Sequence, residues 1–289
     1  MNLQTHLIKA YSYTPTLSKP ELSRAITEAA YNTSSLLQEI GKEYTNNPTY
    51  RNVYVTHPTI EDAMEGAVIP PSTVQTYTTT GADFSKTSSS IELTNEVLDM
   101  SKFDIESNTA MLVGNVLASK VSEIVIADIL ERTPDGVNPP AEAQEQVRLL
   151  KSGIAGEWGG DIQGVFQFLS DALKSIPDVY DRDSKLFLNK NNFVDFASTV
   201  TAEGEQVWLI QGGLLLGRYE CVICDQLDDD TMLFGSLGAA FDLVAMEGNQ
   251  TVDPITKPDV LKITETNKFA NVAKDTGALI AMKAEVIIV

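Results

Sequence analysis

Apolar residues recur at helical spacing from Leu22 to Ile40, and this run is the first clear element of the chain. Leu22, Ala25, Ile26, Ala29, Thr33, Leu36, Leu37 and Ile40 keep steps of three and four. Ser18 and Glu21 form a capping box with Pro20 in the first turn, and Gly41 is the expected stop. Residues up to about Pro15 read as a tail. Two roles stay open for the helix. It is an amphipathic surface helix, or it is an arm that docks on a neighbouring subunit, since no second helix lies beside it in sequence.

From Asn52 to Ser90 the pattern changes. Val53-Tyr54-Val55 and Val74 to Thr80 read as strands on either side of Pro70-Pro71, and a polar strand follows from Ser88 to Leu93. Thr, Val and Tyr favour strands, yet apolar residues are too few here to line a core. Such a ribbon must bury against something else, and another chain is the expected partner. Doubled back near Pro70-Pro71, each limb reaches about 60 Å at ~3.3 Å per residue.

A long helix is predicted from Ser107 to Arg132. Its apolar residues, from Leu112 and Val113 to Ile129 and Leu130, fall on most sides, which predicts cover on more than one side. Pro134-Asp135-Gly136 stops it. The segment from Val137 to Gly160 reads as a connector with a short helix from Ala141 to Leu150. Asp161 then caps a helix whose apolar stripe runs from Ile162 to Ile176, and Pro177 ends it. Strands are expected at Lys185–Leu188, Val207–Ile210, Tyr219–Cys224, Met232–Phe234, Phe241–Met246, Val260–Thr264 and Ala278–Val289, with a helix at Asn191–Val200. The class is α+β, with a mainly antiparallel sheet.

Length and composition narrow the function. A chain of 289 residues with 43% hydrophobic content can build a sizeable core. No apolar run reaches the ~18 residues of a membrane span, and Met1 to Tyr13 lacks a secretory pattern. Two cysteines make no disulfide framework. The net charge is -19, from 21 basic and 40 acidic residues, which argues against gripping nucleic acid by its phosphates.

Catalytic chemistry is sparse. His6 and His57 lie in the arm region, away from any candidate nucleophile. Cys221 and Cys224 spell C-x-x-C inside a strand, where positions three apart face opposite ways. A redox pair instead opens a helix. Gly212 and Gly217 lack the Lys-Ser/Thr of a phosphate loop and read as turn glycines, as does Gly235-Ser236-Leu237-Gly238. Asp181 and Asp183, and Asp228-Asp229-Asp230, read as solvated turns without the spacing of a calcium loop. Trp158 and Trp208 are packing residues, with Trp158 equally suited to anchor an interface. No catalytic, cofactor or metal residue is expected.

The order of parts then resembles the tailed-phage major capsid protein family, the Hong Kong ninety-seven fold. The carriers are Ile91-Glu92-Leu93-Thr94-Asn95-Glu96-Val97-Leu98-Asp99 before the long helix and Asp135-Gly136 after it. Leu216-Gly217-Arg218-Tyr219-Glu220, Asp225, Met232-Leu233-Phe234-Gly235 and the final Ala278-Leu279-Ile280-Ala281-Met282-Lys283 complete the set. The resemblance implies an N-arm (1–51), an extended loop (52–92), a peripheral domain on a spine helix (93–159), an axial domain (160–248) and C-terminal peripheral strands (249–289). It implies a shell of hexamers and pentamers around double-stranded DNA, in the virion and assembled in the host cytoplasm. Scaffolding, portal and decoration proteins are the implied partners, with no membrane and no cofactor. The implied intersubunit residues are Leu22, Ile26, Leu36, Tyr54, Ile69, Val74, Tyr77, Trp158 and Arg218. Some relatives cross-link through a lysine of the extended loop. Glu61 to Gln75 contains none, and Lys86 lies on the return limb, so a non-covalent clasp is expected. Met1 lies close to the N-arm, so any scaffold is expected to be a separate protein. Two other readings compete: an encapsulin-type compartment shell, and a soluble enzyme using Asp229 or Cys224.

Overall fold

A computed structural model describes residues 26, 28–45, 53–55, 76–78, 84–94, 105–133, 146–155, 162–197, 209–253 and 260–285. The N-terminal part contains helical residues 28–33 (α1), α2 (Ser35–Glu39) and strand β1 (Gly41–Thr45). Then come strands β2 (Val53–Val55), β3 (Thr76–Thr78) and β4 (Ser85–Thr94), and the long helix α3 (Ile105–Glu131). After β5 (Arg148–Ala155) follow α4 (Ile162–Ser175), α5 (Asp178–Asp181), β6 (Lys185–Leu188) and α6 (Lys190–Ala197). Short strands β7 (Ile210–Gln211) and β8 (Leu214–Leu215) lead to β9 (Tyr219–Ile223), β10 (Thr231–Gly235) and α7 (Leu237–Ala240). Strands β11 (Phe241–Asp253), β12 (Val260–Ala273) and β13 (Leu279–Glu285) close the chain. The α+β class holds.

The expected single helix up to Gly41 is broken at Ser34, which has extended backbone at φ -89° and ψ 122°. Its hydroxyl accepts from the Leu37 amide at 3.3 Å and meets the Ser122 hydroxyl of α3 at 2.8 Å. A serine that caps a new turn competes with helix continuation. Gly41 does not act as a left-handed stop. Ile40 leaves α2 in extended backbone, and Gly41 opens β1, which pairs in parallel with β11.

In the single chain α3 is covered along one stripe. Val113, Leu117, Ala118, Val121, Val125, Ile126 and Ile129 are buried, whereas Met111, Leu112 and Val116 are 55%, 63% and 70% exposed. The helix α1 crosses this stripe at Gly114, where an added Cβ would come 2.6 Å from the Ala29 Cβ. A glycine there permits the close backbone approach, and Thr33 donates to Asn115 Oδ1 beside it at 2.8 Å.

Seven strands form the sheet β5-β13-β10-β6-β9-β8-β7. Both of its faces are covered. Leu186, Leu188, Met232, Phe234, Ile280 and Met282 pack with Phe168, Leu169 and Ile176 of the α4 segment. Phe187, Leu233, Leu279 and Ala281 join the other core, with the stripe of α3, Leu36, Leu37 and Phe241. Double cover explains the continuous apolar runs of β6, β10 and β13. Three ladders are parallel, β1 with β11, β5 with β13 and β6 with β9, and the remaining pairs are antiparallel.

The segment read as a short helix at 141–150 instead carries β5, a strand from Arg148 that pairs with β13. A short apolar run is ambiguous between helix and strand, and the open edge of β13 decides it. The sheet therefore draws β5 and β13 from either side of the 160–248 segment, and β11 runs across residue 248. The remaining sheet has the order β1-β11-β12-β4. There β4 pairs with β12 from Ser85↔Phe269 to Thr94↔Val260. The polar strand expected to bury against another chain thus has its ladder within this one. The strands β2 and β3 pair only with each other among the described residues, with Tyr54 opposite Tyr77.

Gly235 ends β10 at φ +140°, and a Cβ there would run into the Ala278 carbonyl oxygen. Substituting Gly235→Ala should destabilise the subunit by roughly 2 kcal/mol or more. Urea unfolding of the unassembled chain measures it, and a loss below about 0.5 kcal/mol would contradict the close packing.

Candidate intersubunit surfaces

The best-formed surface features are a turn, a polar cleft and a bare helix face. The turn runs from Gly212 to Arg218 between β7 and β9. Leu216 sits at its head with φ 52°, a conformation that non-glycine residues seldom adopt. This holds Leu216 at 42% exposure, next to Leu214 at 37%. Arg218 anchors the base of the turn. Its guanidinium pairs with Asp181 and lies 5.0 Å from the Tyr219 ring centroid. The Tyr219 hydroxyl donates to the other Asp181 oxygen at 2.6 Å. Asp181 is therefore a structural acceptor and not simply a solvated turn residue. Asp229 is another, accepting from the side-chain amides of Asn189 and Asn191.

Beside the turn lies a cleft of about 520 Å³ lined by Glu39, Arg182, Asp183, Lys185, Arg218 and Glu220, among others. Lys185 bridges Glu39 at 2.9 Å and Glu220 at 2.7 Å. Burial alone would lower the Lys185 pKa, but hydrogen bonds and charge from the two glutamates hold it above the usual lysine value. Glu39 comes from α2 and Glu220 from β9, so this triad ties the N-terminal segment to the large sheet. Ser35 adds a second tie by donating to the Ile223 carbonyl at 2.6 Å.

The nominated contact residues divide by placement. Ile26 and Leu36 are 2% and 0% exposed inside the single chain, so their side chains are taken up by its own core. Tyr54 and Tyr77 are paired on the β2–β3 ribbon. Arg218 is exposed at the base of the turn. Leu22, Ile69, Val74 and Trp158 lie outside the described residues, as do His6, His57 and the Pro70-Pro71 bend. Sequence reasoning did not single out Leu112, Val116 or Leu216 as exposed, because apolar spelling alone cannot say which face a chain leaves bare.

A family model described as the phage capsid family matches residues 16–284. The chain belongs to the phage capsid family. Solved structures agree on the fold. The capsid of a native GTA particle is 18% identical, with a TM-score of 0.65 and 96% of each chain covered. The procapsid of satellite phage P4, including its size determination (Sid) protein, is 14% identical, with a TM-score of 0.60 over 98% of this chain and 96% of that one. A chain of Mycobacterium phage Cain is 12% identical, with a TM-score of 0.58 over 88% and 91%. No curated protein matches. A structural shell protein is the role that family membership gives.

Thiol chemistry is suppressed in this capsid protein. Burial pushes both Cys221 and Cys224 up to about 11, leaving little thiolate at neutral pH. No group of three or more metal-ligating side chains occurs among the described residues. Raised folded-state values mean that stability is fully present below pH 9 and is lost as pH climbs through about 11. Tyr180 acts in the same direction. Burial first, then its 2.5 Å hydrogen bond to Asp275 and that carboxylate's charge, push it up to about 12. Two outcomes follow. Alkylation by iodoacetamide at pH 8 should run about 100-fold slower in the folded chain than in urea. Unfolding free energy should stay level from pH 7 to about 9 and then fall. Free-thiol reactivity in the folded chain would contradict the burial of the pair.

Proposed function

We propose that this chain is the major shell subunit of a tailed phage, assembling as hexamers and pentamers of an icosahedral capsid around double-stranded DNA. The observation that carries the mode of assembly is the β2–β3 ribbon. Its strands pair only with each other among the described residues, while the return limb is anchored as β4 in the body's own sheet. An isolated two-stranded ribbon is marginal in water and gains stability by packing on a partner surface. Tyr54 and Tyr77 on the ribbon, with Ile69 and Val74 between its strands, would form a non-covalent clasp on a neighbour. Leu22 and Trp158 would add contacts, and Arg218 would place the 212–218 turn at the capsomer axis. Ile26 and Leu36 would act indirectly, by fixing where the arm leaves the body. Residues 93–159 and 249–289 would make up most of the peripheral part, and 160–248 most of the axial part.

The bare face of α3 is the second surface this reading uses. Leu112 and Val116 are one helical turn apart and exposed, and in a shell such a pair would be covered by an adjacent subunit. Assembly would take place in the host cytoplasm with a separate scaffolding protein and a portal. The size determination protein in the similar P4 procapsid supports an assembly partner of that kind. Acidic charge suits a container that must not hold its DNA, with 40 acidic against 21 basic residues.

Size-exclusion chromatography with negative-stain microscopy tests the proposal. The expressed chain, alone or with its scaffold, should yield closed particles, and small oligomers under every condition would sink it. Deleting Ile60 to Thr80 should leave a cooperatively folding body that forms no stable shells. The double substitution Leu112→Ser and Val116→Ser should change subunit stability by less than about 1 kcal/mol, as expected at exposed positions. It should nevertheless lower the yield of particles severalfold. Normal shells from this variant would remove α3 from the interface.

A further inference from the structure

Two lysines face each other across a ladder of the smaller sheet. Lys86 of the edge strand β4 lies directly opposite Lys268 of β12. Directly opposite residues on antiparallel strands stand about 5 Å apart at Cβ, and like charges in that position repel. Lys86 is exposed and Lys268 half-buried. Among the described residues neither has an ion-pair partner, in a chain with nearly twice as many acids as bases. Several other described cations pair with an acid: Lys120 with Glu123, Lys274 with Asp242, Lys283 with Asp230 and Arg132 with Asp128. Further along the same two strands the register is complementary, with Lys262 opposite both Glu92 and Asp253. The lysine pair thus sets like charges opposite each other on the same strand whose Lys262 faces an acid on either side.

We infer that Lys86 and Lys268 form a basic seat for a carboxylate-bearing segment of a second copy of this chain. The inference rests on the shell reading above. Charge complementarity selects the occupant. With a net charge of -19, another copy presents mostly carboxylates, and one placed between two lysines removes their repulsion. The location suits a contact between copies, because β4 is an outer strand of its sheet and continues from the ribbon of the extended loop. The seat thus stores a small intrachain repulsion that association relieves, so the contact favours assembly at the expense of the free subunit.

That trade gives an unusual signature. The charge reversal K86E replaces a like pair by an opposite pair within the chain, so it should raise the urea midpoint of the unassembled subunit. The same change should lower the assembled fraction about tenfold at low salt, the scale of one good interfacial ion pair. K86R should assemble as the parent does. Particles co-assembled from isotopically heavy and light copies, treated with a zero-length carbodiimide, should yield heavy–light links from Lys86 or Lys268 to an Asp or Glu. Particles that form but give only within-copy links overturn the seat while leaving the shell reading intact. So does a K86E chain that assembles normally. Normal shells that lose their DNA would assign the lysines to phosphate and overturn it as well. Failure of the parent chain to form any particle overturns the shell reading and this contact together.

Discussion

Burial of one stripe of α3 is the constraint on which the rest of the chain depends. Val121, Val125 and Ile129 are at most 1% exposed, and each contributes about 1.5–3 kcal/mol by leaving water. The same stripe receives α1 at Gly114, Leu36 and Leu37 of α2, and residues from both large sheets. It brings the N-terminal segment and the two sheets into one shared core. The opposite side of α3 keeps Leu112 and Val116 in water, so one helix serves as internal spine and as open surface.

The described part of the N-terminal segment belongs to the body. Residues from Ile26 to Thr45 are built into the body by burial, by the Ser34–Ser122 contact, by Glu39 on Lys185 and by the β1–β11 ladder. The strand β4 is likewise held by β12, while β2 and β3 pair only with each other among the described residues. Ile26 to Thr45 and β4 are therefore both fixed in the body, which sets the direction in which the chain leaves it. A shell subunit needs this, since a contact that must close a ring tolerates little angular freedom.

Much of this was readable in advance where one physical signal dominated. The apolar stripe from Ile162 to Ile176 and the stop at Pro177 gave α4 within a residue. The spine helix was found within two residues because no breaker interrupts it. The apolar strands β6, β9 and β10 were found because burial on a face requires such spelling. The strands that were missed or shortened are polar or half-exposed. Gly41-Lys42-Glu43-Tyr44-Thr45 spells nothing strand-like, and it becomes β1 only because β11 offers an edge. The N-terminal half of β12 was expected and its continuation to Ala273 was not, for the same reason. Among the nominated contacts, Arg218 and the tyrosine pair could be placed, but Ile26 and Leu36 could not be told from core by periodicity.

By itself, the sequence determined the α+β class, the run of elements, the long spine helix, the polar ribbon and the resemblance to phage capsids. The first four are set by local periodicity, breakers and composition, which act over a few residues, and the resemblance rests on the ordered motifs from Ile91 to Lys283. Only the tertiary structure decided the break at Ser34, the identity of β1 and β5, the merging of β5 and β13 into one sheet, and the meeting of Lys86 with Lys268. It also chose which apolar residues of α3 are core and which are surface. Those outcomes depend on strand edges, registers and covered faces supplied by segments tens to hundreds of residues away, and no local pattern carries that information.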